Sequence, residues 1–511
     1  MSRFYITTAI DYANGEPHAG HAFEKMGADA IARYRRLRGD EVRFVIGMDE
    51  HGQSIPQEAS KRGVEPAELV DALARRFRSA WDSLDVSYDD FIRTTEPRHA
   101  RAVRALVERI REAGDLYLGT YEGYYCVRCE AFRSEDELVD GRCPMHPDRE
   151  IAWTEEENWF FRLSRFRDPL LEHLGAHPEF VRPGSRRNEV LRLLEGGLED
   201  VSASRSRIPW GIPFPGAGDH TVYVWLDALT NYLSAVGFPD EEYREWWPAD
   251  LHVIGKDITR FHCVIWPAML MSAGVELPRS VWGHGFVSVE GGKISKSAGA
   301  RLELEAMVER HGPDAFRYFM LREAPWDGDR DFASPERLIG RFDERYNAEL
   351  ANDLGNLLNR VVAMVRKYRD GRVTSGGSTE LDESRRRILG SYHEAMEALL
   401  LHRGAEAGLE LAREANGFVD RARPWDLARA ERDEGAAPEE LDSVLGSLVR
   451  ALAGCAAMLG PFLPRKAVHL WAQLGGEGGL PPFDALETRT SELQEVAGGD
   501  VLFPRYEPAD A

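Results

Sequence analysis

The sequence predicts an α/β protein: a doubly wound parallel sheet that is split by an inserted segment and followed by an all-α helical bundle. Short apolar, β-branched runs at residues 4–10 and 42–46 flank a segment with helical periodicity, which is the pattern of a βαβ unit. Two more such runs, at residues 221–225 and 251–255, follow a stretch rich in aromatics and turns. From about residue 340, apolar positions recur every three to four residues, which predicts a bundle of helices.

Length and composition limit the class of protein. A chain of 511 residues exceeds one hydrophobic core, so about two to four domains are expected. We find neither a secretory signal nor a run of about 20 apolar residues that would span a bilayer, so we expect a cytoplasmic protein with no membrane partner. The formal net charge of -22 argues against a general binder of nucleic acid. Arginine clusters can still form local positive patches, although most such clusters are solvated faces.

The loop after the first predicted strand carries a histidine pair. His18 and His21 stand three residues apart, so both rings can lie on one side of the first helical turn, beside unpaired N–H groups and the positive dipole end. There they can hold phosphate charge, and Gly20, which lacks a Cβ, lets a flat ring such as adenine approach the backbone. A surface histidine pair with ordinary capping chemistry fits the same residues, so this motif alone leaves both interpretations open.

A second polar loop follows the predicted strand at residues 42–46. Because the carboxyl ends of parallel strands meet at one edge of a sheet, we expect Asp49 near the histidine pair, where it can bind an ammonium group or a ribose hydroxyl. Capping of the next helix by Asp49 is an equally good interpretation. Residues 60–114 are expected to form helices, closed by Gly114.

Four residues with metal-ligand spacing then interrupt the helical pattern. Cys126 and Cys129 form a Cys-x2-Cys turn, and Cys143 and His146 form a Cys-x2-His turn after 13 intervening residues. This spacing predicts a zinc knuckle, a closed tetrahedral site that holds the insertion together and performs no chemistry. A small disulfide-bonded loop is the poorer alternative in a chain without a secretory signal.

The second half of the sheet is expected to begin with the strand at residues 221–225, followed directly by a helix. Asp257 comes after the buried strand at residues 251–255, where it is well placed for a ribose. His262, one turn into the next helix, is either a polar member of an apolar pocket or a satisfied core histidine. Three more residues can line that pocket or be plain core residues: Trp225, Ala228 and Tyr232.

A glycine-bracketed loop at residues 291–299 carries two lysines, Lys293 and Lys296. Flexible lysines on such a loop can close over a triphosphate and neutralise the charge that develops during attack at the α-phosphorus, without any covalent role. A lone basic loop is a weak signal. Its pairing with the histidine motif in the other half of the same kind of sheet makes it a strong one.

These two motifs resemble the signatures of the class I aminoacyl-tRNA synthetases, a His-x-Gly-His helix opening and a Lys-Met-Ser-Lys-Ser loop, here HAGH and KISKS. Within that class the chain resembles the methionyl-tRNA synthetase family over nearly its whole length. The matching segments are AIDYANG at residues 9–15, YVWLDA at 223–228, VIGKD at 253–257, FH at 261–262, WPAML at 266–270 and the knuckle. Ile294 departs conservatively from the loop motif, and Leu229 stands where some members have proline.

The resemblance implies an enzyme that converts L-methionine and ATP to methionyl-adenylate and pyrophosphate. It then transfers methionine to the 3'-terminal adenosine of tRNA(Met), including the initiator tRNA. Mg²⁺ is implied with ATP, and one structural Zn²⁺ in the knuckle. The implied catalytic residues are His18, His21, Lys293 and Lys296, and Gly20, Asp257 and Ser295 join them in binding ATP. The implied methionine pocket is Ile10, Tyr12, Asp49 on the ammonium group, Trp225, Ala228, Tyr232, Ile258 and His262. Aromatic walls with one polar group suit an unbranched thioether.

The resemblance also implies a domain order and a tRNA-binding region. The expected domains are a Rossmann-like catalytic domain in two halves (1–115 and 221–300), a connective insertion with the knuckle (116–220), a linking stem (301–340), an α-helical anticodon-binding domain (341–475) and a tail (476–511). Helices are predicted at residues 347–368, 383–401, 403–419 and 441–459. The implied anticodon residues are Asn356, Arg360 and Trp425. Without the resemblance, Trp425 would be assigned to the core.

Two further expectations concern assembly and alternative functions. The tail, rich in Gly, Glu and Pro, is expected to fold back or fray, and we expect a monomer because no appended dimerisation domain is recognisable. The alternatives to a synthetase are a catalytically silent tRNA-binding paralogue and an adenylating relative with an acceptor other than tRNA. A silent binder needs neither histidines nor lysines, and a relative without tRNA needs no anticodon residues.

Overall fold

The computed structural model describes residues 2–126, 131–133, 135, 138–144, 151–206, 208–293, 304–373 and 376–507. The N-terminal segment supplies the first half of a central sheet. Its elements are β1 (Arg3–Thr8), β2 (Asp11–Tyr12), α1 (Ala19–Leu37), β3 (Glu41–Asp49), α2 (Ser54–Arg62), α3 (Pro66–Ser83), β4 (Asp90–Arg93) and α4 (Pro97–Glu112). The predicted strand at residues 42–46 is confirmed as part of β3. The prediction of helices alone for residues 60–114 is wrong, because the four-residue β4 is too short to show a strand periodicity in the sequence.

The inserted segment forms two small antiparallel sheets beside the central one. Its elements are β5 (Leu116–Cys126), β6 (Ala131–Arg133), β7 (Ala152–Phe161), α5 (Arg167–Ala176), β8 (Val181–Arg182), α6 (Gly184–Glu195), β9 (Val201–Ser202), β10 (Ser204–Arg205), β11 (Pro213–Phe214) and β12 (Ala217–Val222). The sheet orders are β6–β5–β7–β9 and β10–β12–β11. β8 leaves the insertion and joins the central sheet, where it pairs in parallel with a later strand at Val281 and Trp282.

The second half of the central sheet follows the insertion. Its elements are α7 (Val224–Leu229), α8 (Asn231–Ser234), β13 (Leu251–Gly255), a π-helix (Phe261–Ile265), α9 (Trp266–Ser272), β14 (Val281–His284), β15 (Val287–Val289) and β16 (Gly292–Lys293). The prediction of a strand at residues 221–225 is wrong for its second part, since the chain leaves β12 at Val222 and α7 begins at Val224. α7 is buried on almost every side, so packing overrides the β propensity of its aromatic and branched residues.

The central sheet is wholly parallel among the described strands. Its order is β4–β3–β1–β13–β14–β8, with β2 beside the carboxyl end of β3. The chain runs outward from β1 to β4 and then returns to the other side of β1 at β13. The carboxyl ends of β1 and β13 therefore frame the crevice in which doubly wound sheets bind ligands. The predicted doubly wound α/β fold is confirmed.

The rest of the chain is helical. Its elements are α10 (Leu304–His311), α11 (Pro313–Glu323), β17 (Arg330–Phe332), α12 (Pro335–Arg345), a π-helix (Tyr346–Gly355), α13 (Asn356–Arg369), α14 (Glu380–Glu397), α15 (Leu401–Ala422), α16 (Pro424–Glu434), α17 (Glu439–Leu459), α18 (Pro464–Gln473) and α19 (Leu486–Ser491). The four helices predicted after residue 346 are confirmed, and α16, α18 and α19 were not predicted. The tail folds back, because the Tyr506 N–H donates to Asn347 Oδ1 at 2.9 Å.

α17 forms the centre of the helical bundle. Within the part of the chain that the structure describes, it is the one helix long and apolar enough to cross a membrane by length and composition. Of its most apolar window, 83% is buried inside the protein. The apolar part of α17 is therefore longer than we expected from the sequence. The helix is buried because it packs against α14, α15 and α18.

Trp326, which follows α11 in the stem, packs against α1. Its indole is fully buried, lies edge-on to Phe23 at 5.0 Å and stacks on His284 at 5.0 Å. Gly27 in α1 provides the space for this ring, because a Cβ at that position would lie 2.0 Å from an indole carbon. A glycine inside a helix is therefore a packing requirement here.

Candidate active site

The histidine pair lies at the amino end of α1, in the crevice beside the end of β1. His18 is the N-cap, and its Nδ1 accepts from the N–H groups of Gly20 at 3.1 Å and His21 at 3.3 Å. Since Nδ1 accepts, the proton of a neutral His18 ring lies on Nε2. The rings of His18 and His21 stack with centroids 3.6 Å apart. His18 therefore caps the helix and stacks on His21 at the same time. The capping contact keeps the ring proton of a neutral His18 on Nε2, from which it can donate to an anion.

His21 is held neutral at the same position. Burial, together with the nearby His18 and Lys25, keeps the pKa of His21 well below its usual value. Gly20 allows this arrangement, because a Cβ there would lie 3.1 Å from two atoms of the His18 ring. Two imidazoles can thus share the positive end of a helix dipole without repelling each other as cations.

Asp257 comes two residues after the end of β13, the strand that pairs with β1. It is in a short 3-10 turn, Lys256–Ile258, and its side chain is exposed. Its Oδ1 passes 2.8 Å from where a Cβ of Gly255 would be, so Gly255 allows this orientation. Lys293 ends β16 in the β15–β16 hairpin that follows β14. Lys296 and Ser295 lie outside the described residues.

Tyr232 of α8 and His262 of the π-helix form a buried polar pair. His262 Nδ1 donates to the Ile258 carbonyl at 3.1 Å, so Nε2 accepts from the Tyr232 hydroxyl at 2.6 Å. Burial lowers the pKa of His262 to about 4, so the ring is neutral at physiological pH. His262 is carried by the π-helix Phe261–Ile265, a local feature that often marks functional sites.

The other predicted pocket residues lie on α7, on the turn before the π-helix, on the segment that includes β2, and at the end of β3. Trp225 stacks on Phe261, the neighbour of His262, with centroids 3.6 Å apart. On the sheet side, Tyr12 is paired with Asp49 between β2 and β3. The remaining members are the buried Ala228 and the half-buried Ile10 and Ile258. Asp49 Oδ1 lies 3.4 Å from the His51 N–H, at the end of β3 and five residues before α2 begins.

A buried carboxylate, Asp227, joins α7 to the loop after β3 and was not predicted as a site residue. Asp227 in α7 has no exposed surface; its carboxylate oxygens lie 2.6 Å from His51 Nδ1 and 2.7 Å from His99 Nε2. Although burial opposes both shifts, this pairing lowers the pKa of Asp227 to about 2 and raises that of His51. His51 is two residues from Asp49 and Asp227 is two from Trp225, so the contact fixes the loop after β3 against the aromatic wall.

A second missed cluster centres on Lys25, one turn after His21. Its ammonium group contacts Asp11 and Glu24 and has no exposed side-chain surface. The available sequence signal was that α1 is rich in small apolar residues, which is typical of a helix buried all round. In such a helix a charged residue must find a partner inside the protein.

Two of the four predicted zinc ligands lie within the described residues. Cys126 ends β5 opposite Ala131 of β6, and Cys143 directly follows the bridge between Val139 and Arg142. Both side chains are buried. Cys129 and His146 lie outside the described residues, among which no group of three or more metal-binding side chains is found.

The three predicted anticodon residues lie on α13 and α16 of the helical bundle. Asn356 begins α13 and is exposed, and Arg360 lies one turn later, where its Nη2 contacts Asp420 of α15 at 3.0 Å. Trp425, at the start of α16, is 37% exposed. A core position for Trp425 is therefore wrong, because more than a third of its surface is exposed to solvent.

Comparison with known proteins assigns the family. The family model described as tRNA synthetases class I (M) matches residues 4–151 and 147–362. The chain belongs to the class I tRNA synthetases. Two relatives of this synthetase, both named methionine–tRNA ligase, are those of Caldanaerobacter subterraneus (42% identical over 99% of this chain and 79% of the relative) and Thermotoga maritima (43% over 93% and 76%).

Solved structures of similar proteins extend the match across the synthetase. Mycobacterium tuberculosis methionyl-tRNA synthetase in complex with methionyl-adenylate is 41% identical, with a TM-score of 0.93 over 99% of this chain and 100% of that chain. Its apo form is 38% identical, with a TM-score of 0.86 over 100% and 99%. The similarity therefore covers the sheet, the insertion and the helical bundle together.

Proposed function

We propose that this class I tRNA synthetase is a methionyl-tRNA synthetase. It forms methionyl-adenylate and pyrophosphate from L-methionine and ATP, and then transfers methionine to the 3'-terminal adenosine of tRNA(Met), including the initiator. Two observations carry the proposal: a stacked histidine pair at the amino end of α1, and a buried Tyr232–His262 pair whose tyrosine stacks on His252 of β13. Relatives named for this activity, similar along nearly the entire chain, support it.

We assign methionine recognition to the residues around the Tyr232–His262 pair. An unbranched thioether offers apolar contact and a weakly accepting sulfur, which suits Trp225, Ala228, Ile10, Ile258 and Tyr12 as walls. Asp49 would hold the ammonium group, and the Asp227–His51 contact orients its loop. His262 stays neutral at physiological pH, so the pocket keeps its apolar character.

We assign ATP to the crevice between β1 and β13. Asp257 would bind the ribose, and the backbone at Gly20 would approach the nucleotide. His18 and His21, at the positive end of α1, would donate to the phosphates as the methionine carboxylate attacks the α-phosphorus and pyrophosphate leaves. Lys293, Ser295 and Lys296 would close over the triphosphate from the other half of the sheet. Mg²⁺ enters with ATP as part of the substrate, screening phosphate charge.

The first test is amino-acid-dependent exchange of labelled pyrophosphate into ATP, with each of the twenty amino acids and no tRNA. Exchange with methionine alone is expected, whereas exchange with none would favour a silent tRNA-binding paralogue.

A second test addresses Asn356, Arg360 and Trp425 as the anticodon site, where an exposed aromatic face can stack on a base. Trp425→Ala should weaken charging of tRNA(Met) and leave exchange unchanged. Unaltered charging would favour an acceptor other than this tRNA.

We also propose one structural Zn²⁺ in the inserted segment. The described ligands, Cys126 and Cys143, are soft donors at the ends of two hairpin arms, which fits a knuckle. Cys129 and His146 would complete the tetrahedron, and the ion would hold the arms together without a part in the reaction.

Metal analysis of the purified protein should find about one zinc per chain. Replacing Cys126 and Cys129 by serine should remove it and make the segment 116–161 sensitive to proteolysis. Cys455→Ser, which alters a buried thiol of α17, is the matched control and should keep its zinc. A native protein without zinc would contradict the proposal.

Finally, we propose that the enzyme acts in the cytoplasm as a monomer. The buried thiols of Cys263 and Cys455 are free, as is usual for proteins kept in a reducing compartment. Light scattering at micromolar concentration would test the monomer.

A further inference from the structure

Lys25 is a lysine buried completely beneath the active site. Its Nζ lies 2.8 Å from Glu24 Oε1 and 3.0 Å from Asp11 Oδ1, and it donates to the Ala9 carbonyl at 2.7 Å. The ammonium group can donate three hydrogen bonds, and these three acceptors match that number. Although burial opposes it, the two carboxylates raise the pKa of Lys25, so it remains a cation.

Two of the three acceptors of Lys25, the Ala9 carbonyl and Asp11, belong to the short segment that follows β1 and crosses the crevice. The Ala9 N–H donates to the Val253 carbonyl of β13 at 3.0 Å, and Asp11 pairs with Met48 of β3. Between and beside these two anchors lie Ile10 and Tyr12, the proposed methionine-binding residues. Lys25 therefore ties this segment to α1, whose first turn carries the histidine pair.

The same cluster continues toward the strand that precedes the lysine loop. Glu24 Oε2 lies 3.2 Å from His284 Nε2, and His284 Nδ1 lies 2.7 Å from the Gly285 carbonyl. His284 ends β14, and the β15–β16 hairpin follows it. Buried charged and polar groups thus connect the crossing segment to α1, and α1 to the end of β14, which precedes the hairpin and the lysine loop.

Stability does not explain a charge in this place. Removing an ammonium group and two carboxylates from water is costly, and well-packed apolar side chains of similar volume usually stabilise a core as well or better. An apolar side chain, however, cannot fix the direction of a carbonyl or of a carboxylate. The cluster contributes defined geometry, which is what a site for amino-acid activation needs.

We propose that Lys25 is a positioning residue for methionine activation, which holds the Ala9–Tyr12 segment against α1 through Asp11 and the Ala9 carbonyl. The inference rests on the proposed function. Because the Lys25 side chain has no exposed surface, it acts through Ile10 and Tyr12 on one side and the start of α1 on the other. Its loss should therefore impair methionine binding and the chemical step together.

The test compares Lys25→Met and Asp11→Asn with the wild type in methionine-dependent pyrophosphate exchange, with active sites counted by titration. Lys25→Met should raise the KM for methionine about tenfold or more and lower kcat per active site. Asp11→Asn keeps the shape and an acceptor, so it should fold and show a smaller change in the same direction. The double variant should lose about as much as Lys25→Met alone, because the two residues act on each other.

Asp382→Asn is the matched control. Asp382 is a buried carboxylate of α14 paired with Arg450 in the bundle, so its loss should reduce stability and leave the KM for methionine unchanged. Fewer active sites with wild-type constants in both test variants would assign Lys25 to folding alone and overturn the inference. No exchange by the wild type would instead overturn the proposed function and this inference with it.

Discussion

Replacing Lys296 by alanine should slow methionyl-adenylate formation by about 10²- to 10³-fold while methionine affinity stays within about twofold. The charge of a loop lysine is needed when negative charge develops on the phosphates, and methionine alone presents none of that charge. Binding measured by calorimetry and the rate measured in a single turnover separate the two effects.

Lys61→Ala provides the control for this loss of charge. Lys61 is an exposed lysine of α2 whose ammonium group lies 3.4 Å from Glu58, so neither rate nor affinity should change. A parallel loss of methionine affinity in Lys296→Ala would show that the loop contributes to ground-state binding, and would contradict its proposed role.

Gly27→Ala should destabilise the protein by about 3 kcal/mol, although alanine is the better helix former by about 1 kcal/mol. The added Cβ would lie 2.0 Å from the ring of Trp326, which is fully buried and packed against Phe23 and His284. We expect a lower midpoint of urea unfolding, together with weaker pyrophosphate exchange because α1 also carries the histidine pair.

Gly340→Ala is the matched substitution in α12. Nothing lies within 4 Å of a Cβ at that position, so the change should stabilise the protein by about 0.5–1 kcal/mol. If Gly27→Ala behaved like Gly340→Ala, the proposed packing of Trp326 on α1 would be wrong.

Strong local patterns account for what the sequence predicted well. The strands at residues 42–46 and 251–255 are buried, bounded by turns and rich in branched residues, and both occur as expected. His18 and His21 are separated by one helical turn, so local geometry alone brings their rings together. The helices α15 (Leu401–Ala422) and α17 (Glu439–Leu459), by contrast with the shorter α16, α18 and α19, were predictable because each has a long apolar stripe.

Features that depend on distant partners could not be predicted in this way. The run at 221–225 has strand-like residues, yet its end becomes helical because α7 is enclosed by other elements. Asp227 meets His51 across 176 positions, and no spacing rule indicates that contact. The π-helix that carries His262 has no recognisable pattern at all.

The pairing of β1 with β13 has a consequence for synthesis of the protein. The side chains of Thr7 in β1 and His252 in β13 form a hydrogen bond, although the two residues are 245 positions apart in the sequence. A ribosome needs roughly 10–50 s to synthesise a segment of that length. During that time one edge of the apolar β1 has no strand to pair with, and such an edge is a template for association with other chains. The catalytic crevice is also incomplete until both halves have emerged. The yield of active enzyme should therefore depend on translation rate and chaperones as much as on the stability of the finished fold.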